Sequence, residues 1–438
     1  MSPRGGGADR SERRDALRGS VARLVAGALA LGCAHAACTH DVDLLGPRPP
    51  LPGDAATGDA PTGDAPTGDV MGGGDGAAGP SCRGLGDPVR FLTASGPVCA
   101  ATLAARAHRT AICSCSDWTA PDSVLIIANP SMPGNNPAPA GLGVNGSLTA
   151  TADLTVPGAV YASGAKGVMV TGRTSVAASL RSGGPVIIGG PGPAAIGTDV
   201  YAAGDVLGPV KIGGTLHLPS TATIGAATVS SATVRETVSV PPPCDCTQPF
   251  DIAAAISAAM ATNDNAARGL TVDRLANVTT ATPLDLPCGV YAFSSIAAQA
   301  PLTLIIHGRV LIAVAGDVSF QRGFVVMNDP ATPGAELDLL LQGSFTASGS
   351  MLPVGASAGE LLRIWMKGPG PISVPSWPIL GAIVNAPNAT VMAPAGLSLI
   401  GSITAGSLLI GGPVGLTYDD AVLGGGVACG DPQVDPLP

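Results

Sequence analysis

Val160-Tyr-Ala-Ser-Gly164 recurs forty residues later as Val200-Tyr-Ala-Ala-Gly204, and this echo decides the predicted fold. The continuations correspond too, because Val168-Met-Val170 and Val210-Lys-Ile212 both place an aliphatic residue at every second position. That period of two sends the aliphatic side chains to one face of a strand. Forty residues equal two turns of a solenoid with about 20 residues in each turn. The echo therefore predicts an all-β chain built as a parallel β-solenoid, or β-helix.

The composition favours the same fold. The 438 residues include 61 Gly and 41 Pro, yet 46% of the chain is hydrophobic and only 3% is aromatic. Gly permits the positive φ of tight corners, and small aliphatic residues stack well in a narrow core. The hydrophobic content argues against a disordered body. We expect one or two stacked solenoid segments with one inserted helix, after a disordered N-terminal leader and linker.

Shifts in composition divide the chain into seven predicted segments. The boundaries follow the basic leader, the Gly/Asp/Pro repeats, the cysteines and the apolar strands. In chain order we expect a signal peptide (1–32), a flexible linker (33–80), a cysteine-containing capping segment (81–128), a first solenoid segment (129–243), a helical insertion (244–286), a second solenoid segment (287–425) and a tail (426–438).

One stretch has a clear helical pattern. Asp251 is a good N-cap, and Ile252, Ile256 and Met260 recur every four residues among alanines. We expect the Ile/Met stripe to pack over an open end or a side of the solenoid. Asn263-Asp-Asn265 follows and is interpreted as a turn at the helix end, although its oxygens could also ligate calcium.

The N-terminus predicts export. An arginine-rich region precedes the apolar run Leu24–Gly32, which ends at Cys33 and is too short to span a membrane. Ala30-Leu-Gly-Cys33 resembles a bacterial lipobox, which implies a lipid on Cys33 and anchorage to a membrane. Ordinary secretory cleavage a few residues later is the alternative, and Arg13-Arg14 could also belong to a twin-arginine signal. Ala34 resembles the residue found in lipoproteins sorted to the outer membrane or cell surface.

Charge and linker composition restrict the partners. The net charge is −9 and no Lys/Arg cluster follows residue 32, so no nucleic acid is expected. The Gly-Asp repeats of 53–69 predict a solvated tether, because they lack the spacing of a calcium loop. We expect no cofactor, and we expect cell-envelope proteins or polysaccharide as partners.

Ten cysteines are present, and the leader pair Cys33 and Cys38 leaves eight. An even number in an exported chain predicts disulfides, whose connectivity spacing cannot decide. The two C-x-C pairs could instead bind zinc, but their spacing and the predicted export favour disulfides. We expect these bonds to tie flanking segments to the solenoid ends. The candidates are Cys82, Cys99, Cys113, Cys115, Cys244, Cys246, Cys288 and Cys429.

The last hundred residues carry the most specific pattern. Gly381-Ala-Ile-Val-Asn-Ala-Pro-Asn-Ala-Thr-Val391 is followed by Leu399-Ile-Gly-Ser-Ile-Thr-Ala-Gly-Ser-Leu408 and by Leu416-Thr-Tyr-Asp419. This order resembles an uncharacterised C-terminal β-solenoid domain of bacterial surface-anchored and pilus-assembly-like proteins, over about residues 335–423. The resemblance implies a β-solenoid and brings no catalytic residues. The pattern also resembles bactofilin-type polymerising solenoids, from which the signal peptide, cysteines and inserted helix depart.

Two classes of function follow. The favoured one is a non-enzymatic structural or interaction module, used for adhesion or as a scaffold. The alternative is a secreted carbohydrate-active β-helix enzyme, which needs two carboxylates on adjacent coils. Asp199 with Asp205, or Asp317 with Asp338, could form such a pair, although an Asp beside a Gly turn usually shapes the turn. His108, His217 and His307 are too far apart in the sequence to suggest a metal triad.

Overall fold

A computed structural model describes residues 85–129, 140–192, 194–355 and 361–424. Cys33, Cys82, Cys429, the predicted signal peptide and the linker lie outside these residues. The N-terminal strands β1 (Arg90–Thr93) and β2 (Gly96–Cys99) form an antiparallel hairpin, and helix α1 (Ala100–Ala107) follows it. Two more helices are α2 (Ile252–Ala261) and the single turn α3 (Ala421–Gly424).

The first half of the body runs from β3 to β20 and consists mostly of three-residue strands. They are β3 (Ile112–Ser114), β4 (Trp118–Ala120), β5 (Val124–Ala128), β6 (Leu142–Val144), β7 (Leu148–Ala150), β8 (Leu154–Val156), β9 (Val160–Ala162), β10 (Val168–Val170), β11 (Thr174–Val176), β12 (Leu180–Ser182), β13 (Val186–Ile188), β14 (Ala194–Ile196), β15 (Val200–Ala202), β16 (Val206–Leu207), β17 (Val210–Ile212), β18 (Leu216–Leu218), β19 (Thr228–Val229) and β20 (Thr233–Arg235).

The second half runs from β21 to β35 and has longer strands. They are β21 (Thr282–Leu286), β22 (Gly289–Phe293), β23 (Ile296–Ala298), β24 (Leu302–Ile306), β25 (Arg309–Val314), β26 (Val318–Phe320), β27 (Phe324–Asn328), β28 (Glu336–Leu341), β29 (Phe345–Ala347), β30 (Met351–Val354), β31 (Leu362–Met366), β32 (Ile372–Ser373), β33 (Ile379–Ala393), β34 (Leu397–Ile410) and β35 (Val414–Tyr418).

All strand pairs from β3 onwards are parallel, so the predicted parallel β-solenoid is confirmed. In the first half each coil contributes one strand to each of three faces. Face 1 contains β6, β9, β12 and β15, face 2 contains β7, β10 and β13, and face 3 contains β8, β11 and β14. Leu180 pairs with Val160 and with Val200, which are twenty residues away on either side. The forty-residue echo thus spans two coils, as the sequence predicts.

The two halves form one continuous stack in which spatial order differs from chain order. After β20 the chain turns back, starts the second half with β21, and adds coils until β34 pairs with β3 and β35 pairs with β5. Strand β33 bends around all three faces, since it pairs with β31 on face 1, with β32 on face 2 and with β30 on face 3. Strands of the last coil of the second half therefore pair with strands of the first coil of the first half.

Aliphatic side chains at alternate positions fill the interior. Leu180, Val186 and Val206 are almost fully buried, and the same holds for the inward residues of the longer strands, such as Ile306 and Leu339. A buried Leu or Val side chain contributes about 1.5–3 kcal/mol relative to its exposed state. This ladder of side chains is continuous with the core of the second half.

Helix α2 forms where predicted. The Asp251 carboxylate accepts a hydrogen bond from the Ala254 N–H, and Ile252 and Ile256 are buried. The helix lies on the side of the solenoid, against β22, β25 and β28. The turn after it closes the far end of the second half: the Asp264 carboxylate accepts from the Val290 N–H, and the Asn265 amide pairs with the backbone of Ala292.

Four strands of the solenoid lie inside segments that the sequence analysis did not assign to the solenoid. Strands β3, β4 and β5 fall in the predicted capping segment 81–128, yet they form a full coil in the middle of the stack. Strand β21 falls in the predicted insertion 244–286 and starts the second half. Strands β3, β4 and β5 pair with strands thirty residues later, a longer step than the twenty-residue coil of the echo, and β21 is the first strand after α2.

Candidate functional site

Aromatic side chains cover face 1 near the middle of the stack. Here the outward residue Trp365 is only 1% exposed, because Phe250 and Phe91 pack against it with ring centroids 5.4 and 6.0 Å away. Phe91 and Phe250 stack on each other at 3.9 Å. The hairpin β1–β2 thus meets the segment that leads into α2, and together they cover this part of the sheet.

A buried ion network lies beneath this cover. The Arg363 guanidinium donates to both oxygens of Asp338, at 2.8 and 2.7 Å, and also to Glu336. Trp365 Nε1 donates to Asp338 Oδ1 at 2.8 Å, and Arg309 Nε donates to Glu336 at 2.8 Å. Burial alone would lower the pKa of Arg363, but the facing carboxylates outweigh it and raise that pKa. The network is satisfied and closed to solvent, so it links strands rather than binding a substrate.

Four of the candidate cysteines form two adjacent disulfides. Cys113 is bonded to Cys244 and Cys115 to Cys246, with Cα–Cα distances of 5.6 and 5.8 Å. They join β3 to the segment returning from the far end of the first half, so they lie at the middle of the stack and not at a solenoid end. Cys99 and Cys288 are disulfide-bonded as well.

Two residues of the neighbouring coil, Asn145 and Gly143, accommodate these disulfides. The Asn145 amide accepts from the Cys244 N–H at 2.9 Å and donates to the Cys244 carbonyl at 3.0 Å, as a paired strand would. A Cβ at Gly143 would lie 3.1 Å from the sulfurs of both Cys113 and Cys244. Glycine therefore leaves the space that the bond occupies.

Each candidate catalytic carboxylate already has a structural role. Asp199 accepts from the Thr215 N–H, Asp205 from the Thr223 N–H, and Asp317 from the Ser344 N–H and hydroxyl, each on the following coil. The bond from the Ser344 N–H lowers the pKa of Asp317. Asp338 is fully buried in the ion network. The three corner aspartates act as turn formers that tie one coil to the next.

The three histidines lie in different surroundings. His108 is completely buried, its ring nitrogens lack hydrogen-bond partners, and burial lowers its pKa to about 3. His217 stacks on Tyr201 at 4.3 Å and contacts Glu236 at 2.6 Å. His307 lies between two carboxylates, with Nε2 2.6 Å from Asp285 and Nδ1 2.7 Å from Asp329.

Sequence reasoning missed an outward ladder on face 1. Tyr161, Arg181, Tyr201 and His217 occupy equivalent positions of successive coils. The Arg181 guanidinium lies 5.5 and 4.7 Å from the Tyr161 and Tyr201 ring centroids, which are cation–π contacts. The echo contained the signal, because both copies carry Tyr at the same place. Glu236, directly after β20, contacts His217, so the ladder extends to the last coil of the first half.

The described residues contain neither a group of three or more His, Cys, Asp or Glu arranged to hold a metal ion nor a helix that is long and apolar enough to cross a membrane. One cavity of about 300 Å³ lies between the hairpin, α1 and the segment after the disulfides. Arg106, Asp245 and Gln248 line it together with hydroxyl and apolar side chains, and Gln248 already donates to the carbonyls of Met366 and Lys367.

Comparison with known proteins gives one match. Residues 234–424 match a family described as a domain of unknown function (DUF7305). In the structure this range runs from β20 to α3 and comprises the returning segment, α2 and the whole second half. No curated protein and no solved structure matches the chain. The part of the chain that is similar to DUF7305 is thus the covered half of the solenoid, and it includes the pattern of residues 335–423.

Proposed function

We propose that the protein is an exported cell-envelope lipoprotein whose rigid solenoid is a non-enzymatic interaction module of the surface-anchored type. The observation that carries this proposal is the use of the candidate carboxylates. Asp199, Asp205 and Asp317 bind backbone N–H groups of the next coil, and Asp338 is buried against Arg363. Face 3 of the first half presents a flat ladder of small side chains, Thr155, Ser175 and Ala195. Such surfaces suit docking better than catalysis.

The disulfides support the proposed location outside the cytoplasm. Structural disulfides persist in oxidising compartments outside the cytoplasm. Acylation of Cys33 would then tether the body to a membrane. Replacing Cys33 by Ser should release the full chain into the soluble fraction of cells, while Cys38→Ser should not. Retention of the Cys33→Ser protein in membranes would contradict the anchor.

A carbohydrate-active enzyme is the second candidate, and the exposed trio Asp285, His307 and Asp329 is the observation that favours it. The two carboxylates contact opposite ring nitrogens, so His307 occupies the space between them. Cleavage of polysaccharide needs two carboxylates with a sugar between them. Incubation of the full chain with polysaccharides should leave their chain length unchanged. Cleavage that Asp285→Asn or Asp329→Asn abolishes would overturn the proposed module and establish the enzyme.

A further inference from the structure

Trp377 differs from the other two tryptophans of the chain. Trp118 and Trp365 are 1% exposed, whereas Trp377 is 47% exposed at the corner between face 2 and face 3. Its ring lies on Gly396, which has φ +116°, and a Cβ there would meet the ring at 2.9 Å and the Pro413 carbonyl oxygen at 2.5 Å. Glycine therefore leaves the space that the benzo edge of the indole (Cε3 and Cζ3) occupies beside the backbone. Nearly half of the Trp377 side chain is exposed to solvent.

Trp377 stands within a row of corners that we call the corner lane, from Arg322 through Ser376, Trp377 and Gly412 to Asp122. Successive contacts define the row: Gly349 stacks on Arg322, Ser376 Oγ donates to the Ser348 carbonyl, and Gly412 stacks on Ala395. The Val414 N–H then donates to Ser123, beside Asp122. The coils are about 4.8 Å apart.

We infer that the corner lane binds an extended, uncharged polysaccharide, with Trp377 as the platform for one sugar ring. This inference rests on the proposed interaction module and names its ligand. The apolar C–H face of a pyranose packs on the exposed part of an indole ring, which buries apolar surface on both partners. The coil spacing is close to the length of one sugar unit, so successive units lie over successive corners.

The chemistry along the corner lane favours an uncharged glycan. Arg322 lies two coils to one side of Trp377, about 10 Å away, and Asp122 lies three coils to the other, about 14 Å away. These exposed opposite charges offer hydrogen bonds to hydroxyls without selecting a charged polymer. The whole chain carries a net charge of −9, which disfavours an acidic polysaccharide. Apart from Trp377, the corner lane between Arg322 and Asp122 carries small residues, so its surface is flat there.

Trp377 is the one large apolar side chain of the corner lane. Interfaces between proteins concentrate large apolar anchors inside a ring of further contacts. The exposed Leu409 lies on the neighbouring face 2, beside Met392, and not in the corner lane. Leu409→Ser is therefore a matched control that removes an exposed apolar side chain nearby and leaves the platform intact.

The test titrates the purified full chain with cellohexaose and chitohexaose, with polygalacturonate as the acidic comparison. Calorimetry gives affinity, and acrylamide quenching of tryptophan fluorescence reports Trp377, because the other two rings are buried. We expect a neutral hexasaccharide to bind and to protect Trp377 from acrylamide. Trp377→Ala should weaken binding at least tenfold, Trp377→Phe should restore part of it, and Leu409→Ser should leave it unchanged.

Three results would overturn the inference. They are the absence of binding by both neutral hexasaccharides, equal affinity of Trp377→Ala and the parent protein, and loss of binding in Leu409→Ser, which would place the sugar on face 2 and not along the corner lane. The length of the hexasaccharide after incubation separates this test from that of the proposed function. Shortened products would refute the non-enzymatic module, even where Trp377 still contributes to binding.

Discussion

The first half and the second half use the same three-faced coil and differ in how far they keep to it. In the middle of the first half Leu154, Thr174 and Ala194 mark coils of twenty residues, whereas the steps from Val124 to Leu154 and from Ala194 to Val210 are 30 and 16 residues. No ion pair is buried among the described residues of this half. In the second half the steps from Leu302 to Phe324 and Met351 are 22 and 27 residues. That half also contains the buried ion network and carries α2 on its side. The regular repeat is thus confined to the middle of the first half, whereas the buried ion network and α2 belong to the second half.

This difference has a physical cause. A solvent-facing outer position accepts almost any small or polar residue, so the coil repeats without constraint. A covered outer position must be apolar or fully paired, and each such residue is specific to its neighbour. The cover, the disulfides and the ion network are therefore the places where the molecule is most sensitive to substitution.

The largest expected effect comes from the two disulfides that join the region of β3 to the returning segment. Replacing Cys113, Cys115, Cys244 and Cys246 by Ala should lower the free energy of unfolding by about 4–5 kcal/mol, because both bonds close loops of 131 residues in the unfolded chain. Removing only the Cys113–Cys244 pair should cost much less, since the second bond closes nearly the same loop. Urea denaturation measures both. Equal losses for the pair and for all four would contradict this account.

The next effect is expected in the buried network. Arg363→Met leaves Asp338 and Glu336 buried without their shared cation, and should lower the free energy of unfolding by about 4 kcal/mol. The matched control is Lys166→Ala in the first half, which removes an exposed ion pair with Asp117 and should cost less than about 0.5 kcal/mol. Thermal unfolding of both variants compares the halves directly. Similar shifts would show that cover and burial do not set the difference.

The sequence predicted the regular half better than the covered half. The echo of Val160-Tyr-Ala-Ser-Gly164 gave the coil length, and the alternation around Val168 and Val210 gave the inward face. Helix α2 and its Asp251 cap were also predicted, because a cap and a four-residue period are local signals. The pairing of β34 with β3 was not predicted, since strands 291 residues apart leave no local sequence pattern that indicates their contact.

The candidate sites follow the same division. The corner aspartates could be interpreted from their Gly-rich surroundings, and the structure places them at turns. The burial of Asp338 and Arg363 could not be predicted, because each stands in an ordinary apolar strand and only the cover over face 1 makes it a buried ion. Trp377 gave no signal either, since exposure of a single side chain depends on the coils on both sides.

His108 should make stability depend on pH. Burial lowers the pKa of His108 to about 3, against 6.5 for an ordinary histidine, so below pH 6.5 the unfolded chain binds a proton that the folded chain does not. The contribution is complete above pH 6.5 and declines as pH falls towards 3, by about 3 kcal/mol at pH 4. Urea unfolding from pH 7 to 4 should show this slope, and His108→Leu should flatten it. An unchanged slope in the variant would assign the effect to other groups.

The smallest expected effect tests the cover itself. Asp251 accepts from the Ala254 N–H at the start of α2, so Asp251→Ala should lower the free energy of unfolding by about 1 kcal/mol, while Asp251→Asn keeps the cap and should cost only a few tenths. Hydrogen exchange adds spatial information, because loosening α2 should speed exchange in β22, β25 and β28 and leave β9 and β12 unchanged. Equal acceleration in both sets of strands would mean that the stack unfolds as one unit, and the contrast between covered and regular coils would then be one of sequence and not of local stability.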